Sequence, residues 1–248
     1  MIEPAIRVQE LHKEFLLSHS GVGSLKTLVL WWSRPKLEHL QVLNGISFDV
    51  ANGESVAVIG KNGAGKSTLL SLLARVYKPT SGNVVVNGRV APLLELGAGF
   101  HPDLTGVENV FFNGVILGLT RKQINERLPA IIEFSELRKH IDAPVRTYSS
   151  GMLARLGFAC AVHVDADILL VDEVLAVGDH DFEQKCFRTI ETFRKSGGSI
   201  LFVSHGMESV RRVADRVIWL KGGRIEAQGT PDEVIPRYES DHVATADL

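Results

Sequence analysis

The sequence predicts an α/β fold built on a phosphate-binding core, with a helical subdomain inserted into it. Three observations carry that reading. Gly60-Lys61-Asn62-Gly63-Ala64-Gly65-Lys66-Ser67-Thr68 matches G-x-x-x-x-G-K-[ST], the pattern of a loop that cradles phosphates. It stands between an apolar, β-branched run at residues 55–59, suited to a buried strand, and Leu69, Leu70, Leu72 and Leu73, suited to one packed helix face. A second buried run, residues 168–171, ends in two acids, Asp172 and Glu173, and a long helix-patterned stretch separates it from the loop.

Composition sets the outer limits. The 248 residues, 45% hydrophobic and 23% charged, suffice for one large α/β domain or two small ones of ordinary globular make-up. A net charge of −2 gives no basic footprint of a nucleic-acid binder. Two cysteines, Cys160 and Cys186, stand in no metal-ligand spacing and read as small buried residues in a reducing compartment. Residues 1–7 lack the basic and apolar stretches of a secretory signal. No run reaches the roughly 18 apolar residues that cross a bilayer; the longest are broken by Glu108, Asn109, Asn113, His163 and Asp165. Any membrane-spanning part is expected on another chain.

Taken in order, residues 5–8 form a short strand. Residues 16–40 read as an insertion in which Ser24 caps a short helix carrying Leu25, Leu28, Val29 and Trp32. Trp31 and Trp32, flanked by Lys26, Arg34 and Lys36, suit either a membrane surface or partner groove, or a tryptophan-filled core. Residues 45–50 alternate as a strand, and Asn52-Gly53 reads as a hairpin turn delivering the chain to residues 55–59. Two more short strands are expected within 83–96. From 105 to 150 the pattern is helical: Thr120 to Gln123 is a capping box, and Pro129 predicts a kink. Helix 182–195, strand 199–203, a hairpin about Gly222-Gly223 and a helix begun by Thr230-Pro231-Asp232-Glu233 complete the chain, with a polar tail frayed from residue 239.

The chemistry follows from spacing. Glycines let successive N–H groups converge on phosphate oxygens, and the helix that follows adds its positive N-terminus. Gly60, Asn62, Gly63, Ala64, Gly65, Lys66, Ser67 and Thr68 are thus expected to hold a nucleotide, with Lys66 on the outer phosphates and the Ser67 hydroxyl on Mg²⁺. Asp172 is placed to help hold that Mg²⁺. Glu173, one residue on, is expected to orient the attacking water or take its proton.

Tyr148-Ser149-Ser150-Gly151-Met152 precedes that acidic strand. It resembles the signature motif of ATP-binding cassette ATPases, written L-S-G-G-Q, with Ser149 and Gly151 kept and Tyr148, Ser150 and Met152 substituted. The order of loop, signature and acidic strand makes the resemblance specific, and it covers roughly residues 5–235. It implies an ABC-type nucleotide-binding domain across 1–240, whose α/β core carries an antiparallel β subdomain and an inserted helical subdomain at about 105–163, with an insertion at about 16–40 and a tail at 241–248. It further implies that Ser149, Ser150, Gly151 and Met152 close on the ATP of a second subunit, that Asp179 of Ala176-Val177-Gly178-Asp179 works across a homodimer, that His205 contacts the γ-phosphate, and that Phe15 stacks on adenine. The family's usual loop glutamine is missing from residues 92–106, leaving Glu95 as its nearest polar substitute for Mg²⁺.

The sequence from Leu94 to Gly106, the signature and Asp172-Glu173-Val174-Leu175-Ala176-Val177-Gly178-Asp179 together resemble ATPase subunits of bacterial polysaccharide exporters. The resemblance implies ATP hydrolysis on the cytoplasmic face of the cell membrane and two copies of a separate transmembrane permease. Through that permease the substrate is a lipid-linked glycan: O-antigen, capsule, teichoic acid or, as first expectation, galactan. The chain stops at Leu248, so no C-terminal carbohydrate-binding domain is expected. The competing readings are a soluble cassette acting on ribosomes or DNA, and a regulatory cassette; the latter would lack Lys66, Glu173 or His205, all of which are present.

Overall fold

The computed structural model describes residues 3–18, 37–94, 96–97, 99–172 and 179–246. Its core sheet contains β3 (Ser55–Ile59), β5 (Val90–Leu93), β6 (Ile168–Asp172), β7 (Ser199–Val203), β8 (Arg216–Lys221) and β9 (Arg224–Gly229), in the order β5-β6-β7-β3-β8-β9. All neighbours are parallel except β8 and β9, which form the expected hairpin. β3 and β7 are buried along their whole length, as continuous apolar runs in a doubly covered sheet must be. Alternation divides their side chains between two cores. Ala57, Ile59, Leu169, Val171, Ile200 and Phe202 pack on one face with Phe158 and Phe182. Val56, Val58, Ile168, Leu170, Leu201 and Val203 pack on the other with Leu69, Leu70 and Leu73.

Those three leucines belong to α1 (Lys66–Leu73), which follows the loop directly. The remaining helices are α2 (Gly106–Ile116), α3 (Arg121–Ser135), α4 (Ser150–Val162), α5 (His180–Lys195), α6 (Met207–Val213) and α7 (Pro231–Ala246). The first three of these share a third core, with Val110, Ile124, Ile131, Leu156 and Ala159 buried together. Capping boxes start α2 at Thr105/Glu108 and α3 at Thr120/Gln123. α3 continues as a helix through Pro129; burial of Ile124 before it and Ile131 after it holds both halves in place.

The antiparallel sheet, order β2-β1-β4, departs most from expectation. β1 (Ile6–Ser18) is a 13-residue strand, not the short 5–8 segment. Irregular pairing hides it in the sequence: the register with the neighbouring strand shifts between Val8 and Leu11, again before His12 and again before Glu14, with Glu10 at φ 45°. β2 (Leu37–Val50) pairs along its whole length with β1, so residues 16–18 and 37–40 of the expected insertion are strand. Trp31, Trp32 and the expected short helix lie outside the described residues. β4 (Ser81–Val86) closes the other edge.

Asn52-Gly53 is a turn, with Glu54 N–H donating to Ala51 O at 3.1 Å, but it is not a hairpin. β2 stays in the antiparallel sheet while β3 lies between β7 and β8, with no edge free for β2. Glu54 clasps this crossover. Its carboxylate accepts from Ala51 N–H at 2.8 Å and from Arg216 Nε at 2.7 Å. Burial pushes the carboxyl up, but Arg216 and the Ala51 N–H together bring it below its ordinary 4.5. A carboxyl lowered by folding contributes stability above its unfolded pKa and loses it as pH falls through the folded value. Glu54→Gln is therefore expected to cost about 1–3 kcal/mol at neutral pH and to flatten the acid side of the stability curve, as denaturant titrations at pH 7 and pH 4 would show.

The tail also differs: α7 extends to Ala246, past the residue where fraying was expected. Buried Val234, Ile235 and Tyr238 anchor it, and Lys221 Nζ pairs with Asp241 at 2.5 Å. Cys160 and Cys186 are buried, as expected, and burial pushes both thiols up to about 12.

Candidate functional site

Three neighbouring strands, β6, β7 and β3, end at the same level, with Asp172 opposite Val203 and Val203 opposite Val58. The phosphate-type loop begins two residues past Val58, His205 lies two residues past Val203, and Asp172 is itself the last residue of β6. Ligands of open α/β sheets bind at the carboxyl ends of their strands, and a cleft of about 550 Å³ opens there. Asn62, Gly63, Gly65, Lys66, Ser67, Thr68, Asp172 and His205 line it, with Phe15 at the antiparallel-sheet side.

The loop's shape depends on two glycines. Gly65 has φ 102°, and a Cβ there would stand 2.6 Å from Leu43 Cδ2. A Cβ on Gly60 would stand 2.3 Å from the carbonyl oxygen of Leu220, so the loop can pass β8 only as bare backbone. Gly60 and Ala64 shape the loop from beneath; Ala64 is 5% exposed, inside the core between sheet and α1.

Lys66 is 6% exposed, and its Nζ donates to Gly60 O at 2.8 Å and Lys61 O at 3.2 Å. Burial lowers its pKa from the ordinary 10.5, and the Asp172 carboxylate opposes part of that shift. Among the described residues the ammonium donates to carbonyl oxygens, which leave it short of counter-charge that a phosphate supplies. Ser67 and Asp172 give a hydroxyl and a carboxylate to the same cleft, the hard oxygen donors Mg²⁺ takes alongside phosphate oxygens and water. The described residues contain no cluster of three or more His, Cys, Asp or Glu that would hold a metal by itself. The hydroxyl of Ser67 and the carboxylate of Asp172 fit a Mg²⁺–nucleotide.

Phe15 meets the edge of Tyr77, with ring centroids 5.4 Å apart and planes at 80°, and Lys13 Nζ lies 4.7 Å from the Phe15 centroid. Sequence reasoning missed Leu40, Gln41 and Val42, which line the cleft beside Phe15. They come from the β2 extension concealed by the bulged pairing; the alternation of β2 beyond residue 45 was the available signal.

Other expected site residues stand elsewhere. Ser149 caps α4, its Oγ accepting from Met152 N–H at 3.2 Å, and Ser149, Ser150, Gly151 and Met152 do not line the Lys66 cleft. Asp179 caps α5 and accepts from Phe182 N–H at 3.0 Å and Arg155 Nη2 at 2.6 Å. Those contacts hold its carboxyl below the usual range. Glu173 and Glu95 lie outside the described residues.

Comparison with known proteins agrees with this geometry. Residues 43–176 match the family model described as ABC transporter. An O-antigen export system ATP-binding protein of Klebsiella pneumoniae is 50% identical over 96% of this chain and 98% of its own length. A teichoic acids export ATP-binding protein of Enterococcus faecalis is 40% identical over 96% of this chain, which spans 53% of that protein. Among solved structures, a dimeric post-hydrolysis ATP-binding cassette bound to ADP and Pi aligns with a TM-score of 0.74 at 19% identity, over 91% of this chain and 98% of that one. An ATP-binding subunit of an ABC transporter gives 0.75 at 22% identity, over 95% and 93%. At those identities the structures bear on the fold, which they share with this chain, while the family model and the close relatives place its chemistry: the chain belongs to the ABC transporter family, as one of its ATP-hydrolysing cassettes.

Proposed function

We propose that this cassette powers export of a lipid-linked polysaccharide. Two copies bind two copies of a separate transmembrane permease at the cytoplasmic face of the membrane, and the permease carries the glycan. The observation that supports this most is the identity with the Klebsiella O-antigen export protein over nearly the whole of both chains. No helix among the described residues is long and apolar enough to cross a membrane, which suits a subunit attached through a partner.

In this reading ATP lies along the cleft with its base toward Phe15 and its phosphates on the loop. Lys66 and the loop N–H groups of Gly63 to Thr68 hold the outer phosphates. Ser67 and Asp172 would hold Mg²⁺, which when bound neutralises charge on the phosphate oxygens. Glu173 orients a water and takes its proton as the oxygen bonds to the γ-phosphorus and the bond to ADP breaks. His205 contacts the γ-phosphate, so that its loss is felt at the end of β7. Ser149 and Gly151 of the second subunit complete the site, with Asp179 communicating across the pair. ATP closes the dimer, hydrolysis reopens it, and the helical subdomain with the 95–105 loop carries the motion to the permease.

Glu173→Gln tests the chemistry. Turnover is expected to fall by about 10²–10⁴-fold, with ATP still bound and ATP-loaded dimers accumulating in size-exclusion chromatography. Hydrolysis near the wild-type rate would remove Glu173 from its role. Cells lacking the chain should retain lipid-linked glycan on the inner side of the membrane; unchanged surface glycan would sink the exporter reading.

A further inference from the structure

We propose that Tyr77 is a positioning residue that fixes Phe15 as the base platform at a set distance from the phosphate loop. The proposal rests on the reading of Phe15 as the residue that contacts the base. Tyr77 does not itself line the cleft; it presses its ring against that of Phe15, edge to face, at 5.4 Å. Such a pair resists tilting of either ring. Lys13, two residues before Phe15 and on the same strand face, adds its ammonium at 4.7 Å from the Phe15 centroid and 5.7 Å from that of Tyr77.

What makes Tyr77 more than a packing neighbour is its attachment at both ends. On one side it is fastened to the phosphate-loop helix: Tyr77 N–H and Val76 N–H donate to Ser71 O at 3.2 and 2.9 Å, and Ser71 Oγ donates to Ser67 O at 2.9 Å. One helical turn therefore links Tyr77 to the hydroxyl-bearing residue of the loop. On the other side, residues 78–80 are stitched to β1. Lys13 Nζ donates to Lys78 O at 3.0 Å, Thr80 N–H to His12 O at 2.9 Å, and Glu14 N–H to Thr80 Oγ1 at 3.0 Å. The base platform sits on the antiparallel sheet and the phosphate loop on the core sheet, and the 76–80 segment is the strut between them. Phe15 itself is near the far end of a bulged strand beside exposed Leu16 and Leu40, where the sheet alone restrains it weakly.

The test uses the whole chain, with Mg²⁺-ATP and Mg²⁺-tripolyphosphate as probes in titration calorimetry. Tyr77 is 43% exposed, and Tyr77→Leu keeps apolar bulk without a ring edge. This variant is expected to bind ATP about threefold to tenfold more weakly, with tripolyphosphate affinity unchanged, and to show a raised KM with kcat held. Tyr77→Phe should restore wild-type behaviour. Two results overturn the proposal: Tyr77→Leu leaving the ratio of the two affinities at the wild-type value while Phe15→Ala lowers it, or Tyr77→Leu weakening both probes equally, as a general structural defect would. If Phe15→Ala leaves that ratio unchanged, the base-platform reading itself falls and this inference falls with it.

Discussion

Lys66→Met is expected to reduce ATP turnover by at least about a hundredfold while leaving the apo protein folded. The argument turns on what surrounds the ammonium. It is buried and, among the described residues, donates to the carbonyls of Gly60 and Lys61, so without nucleotide the fold bears the cost of a buried cation. Methionine keeps the apolar stem and removes that charge. It also removes the only ammonium among the described residues lining the cleft, and hydrogen bonds to ionised groups are worth about 1.5–3 kcal/mol each. The pH dependence gives a second check. Because folding lowers the Lys66 pKa from 10.5, the unfolded chain binds more protons in the window between the lowered value and 10.5. Stability from this group is therefore reduced at neutral pH and recovers as pH rises through that window. Wild type should gain on Lys66→Met as pH climbs, and at pH 7 the variant should melt at or above the wild-type temperature. ATP should raise the melting temperature of wild type and not of the variant. A variant that still hydrolyses ATP, or is still stabilised by it, would remove Lys66 from the site.

Much of this site was legible because phosphate binding is local in sequence. The loop, its strand and its helix are consecutive, and their glycines mark backbone that side chains would block, as Gly60 does against Leu220. Asp172 and His205 were legible for a related reason: each closes an apolar run that could only be a buried strand, and parallel strands of equal register bring their ends together. The antiparallel sheet was opaque because β1 is bulged. Three register shifts break the period of two that marks a strand, so Phe15 was assigned from resemblance while its neighbours Gln41, Val42 and Tyr77 went unseen. Asn52-Gly53 misled in the opposite way. Its dipeptide chemistry specifies a tight turn correctly, but whether the flanking strands pair is settled by long-range burial of β3 between β7 and β8. The capping boxes at Thr105 and Thr120 are alike at the residue level, yet only the second stands before an obvious polar-to-apolar alternation; the first opens a helix whose exposed Phe112, Val115 and Ile116 blur the pattern.

Ser149, the N-cap of α4, and Ser150 to Met152 in its first turn raise the remaining question, since they stand away from the Lys66 cleft and yet resemble the family signature. If they act on the nucleotide of a second copy, two inactive variants should restore each other. Gly151→Asp is suited to this. Among the described residues a Cβ at Gly151 would meet nothing nearer than Ser149 Oγ at 3.9 Å, so the side chain has room there. An acid in the first turn of α4 also favours the helix dipole, so the variant should fold at least as well as wild type. The same acid repels a triphosphate brought to that helix end. Gly151→Asp and Lys66→Met are each expected to be nearly inactive alone. In a mixture, a hybrid dimer pairs the intact Lys66 of one copy with the intact signature of the other and has one whole site. In a twofold dimer, random exchange makes about half the pairs hybrid with one of two sites intact, so about a quarter of wild-type turnover should return if sites act independently. A site complete within one chain predicts no recovery at any mixing ratio, because every copy then carries a defect of its own. Recovery that rises with hybrid content and vanishes on dilution below the dimer's dissociation range would tie Lys66 and Gly151 to one nucleotide held between two copies.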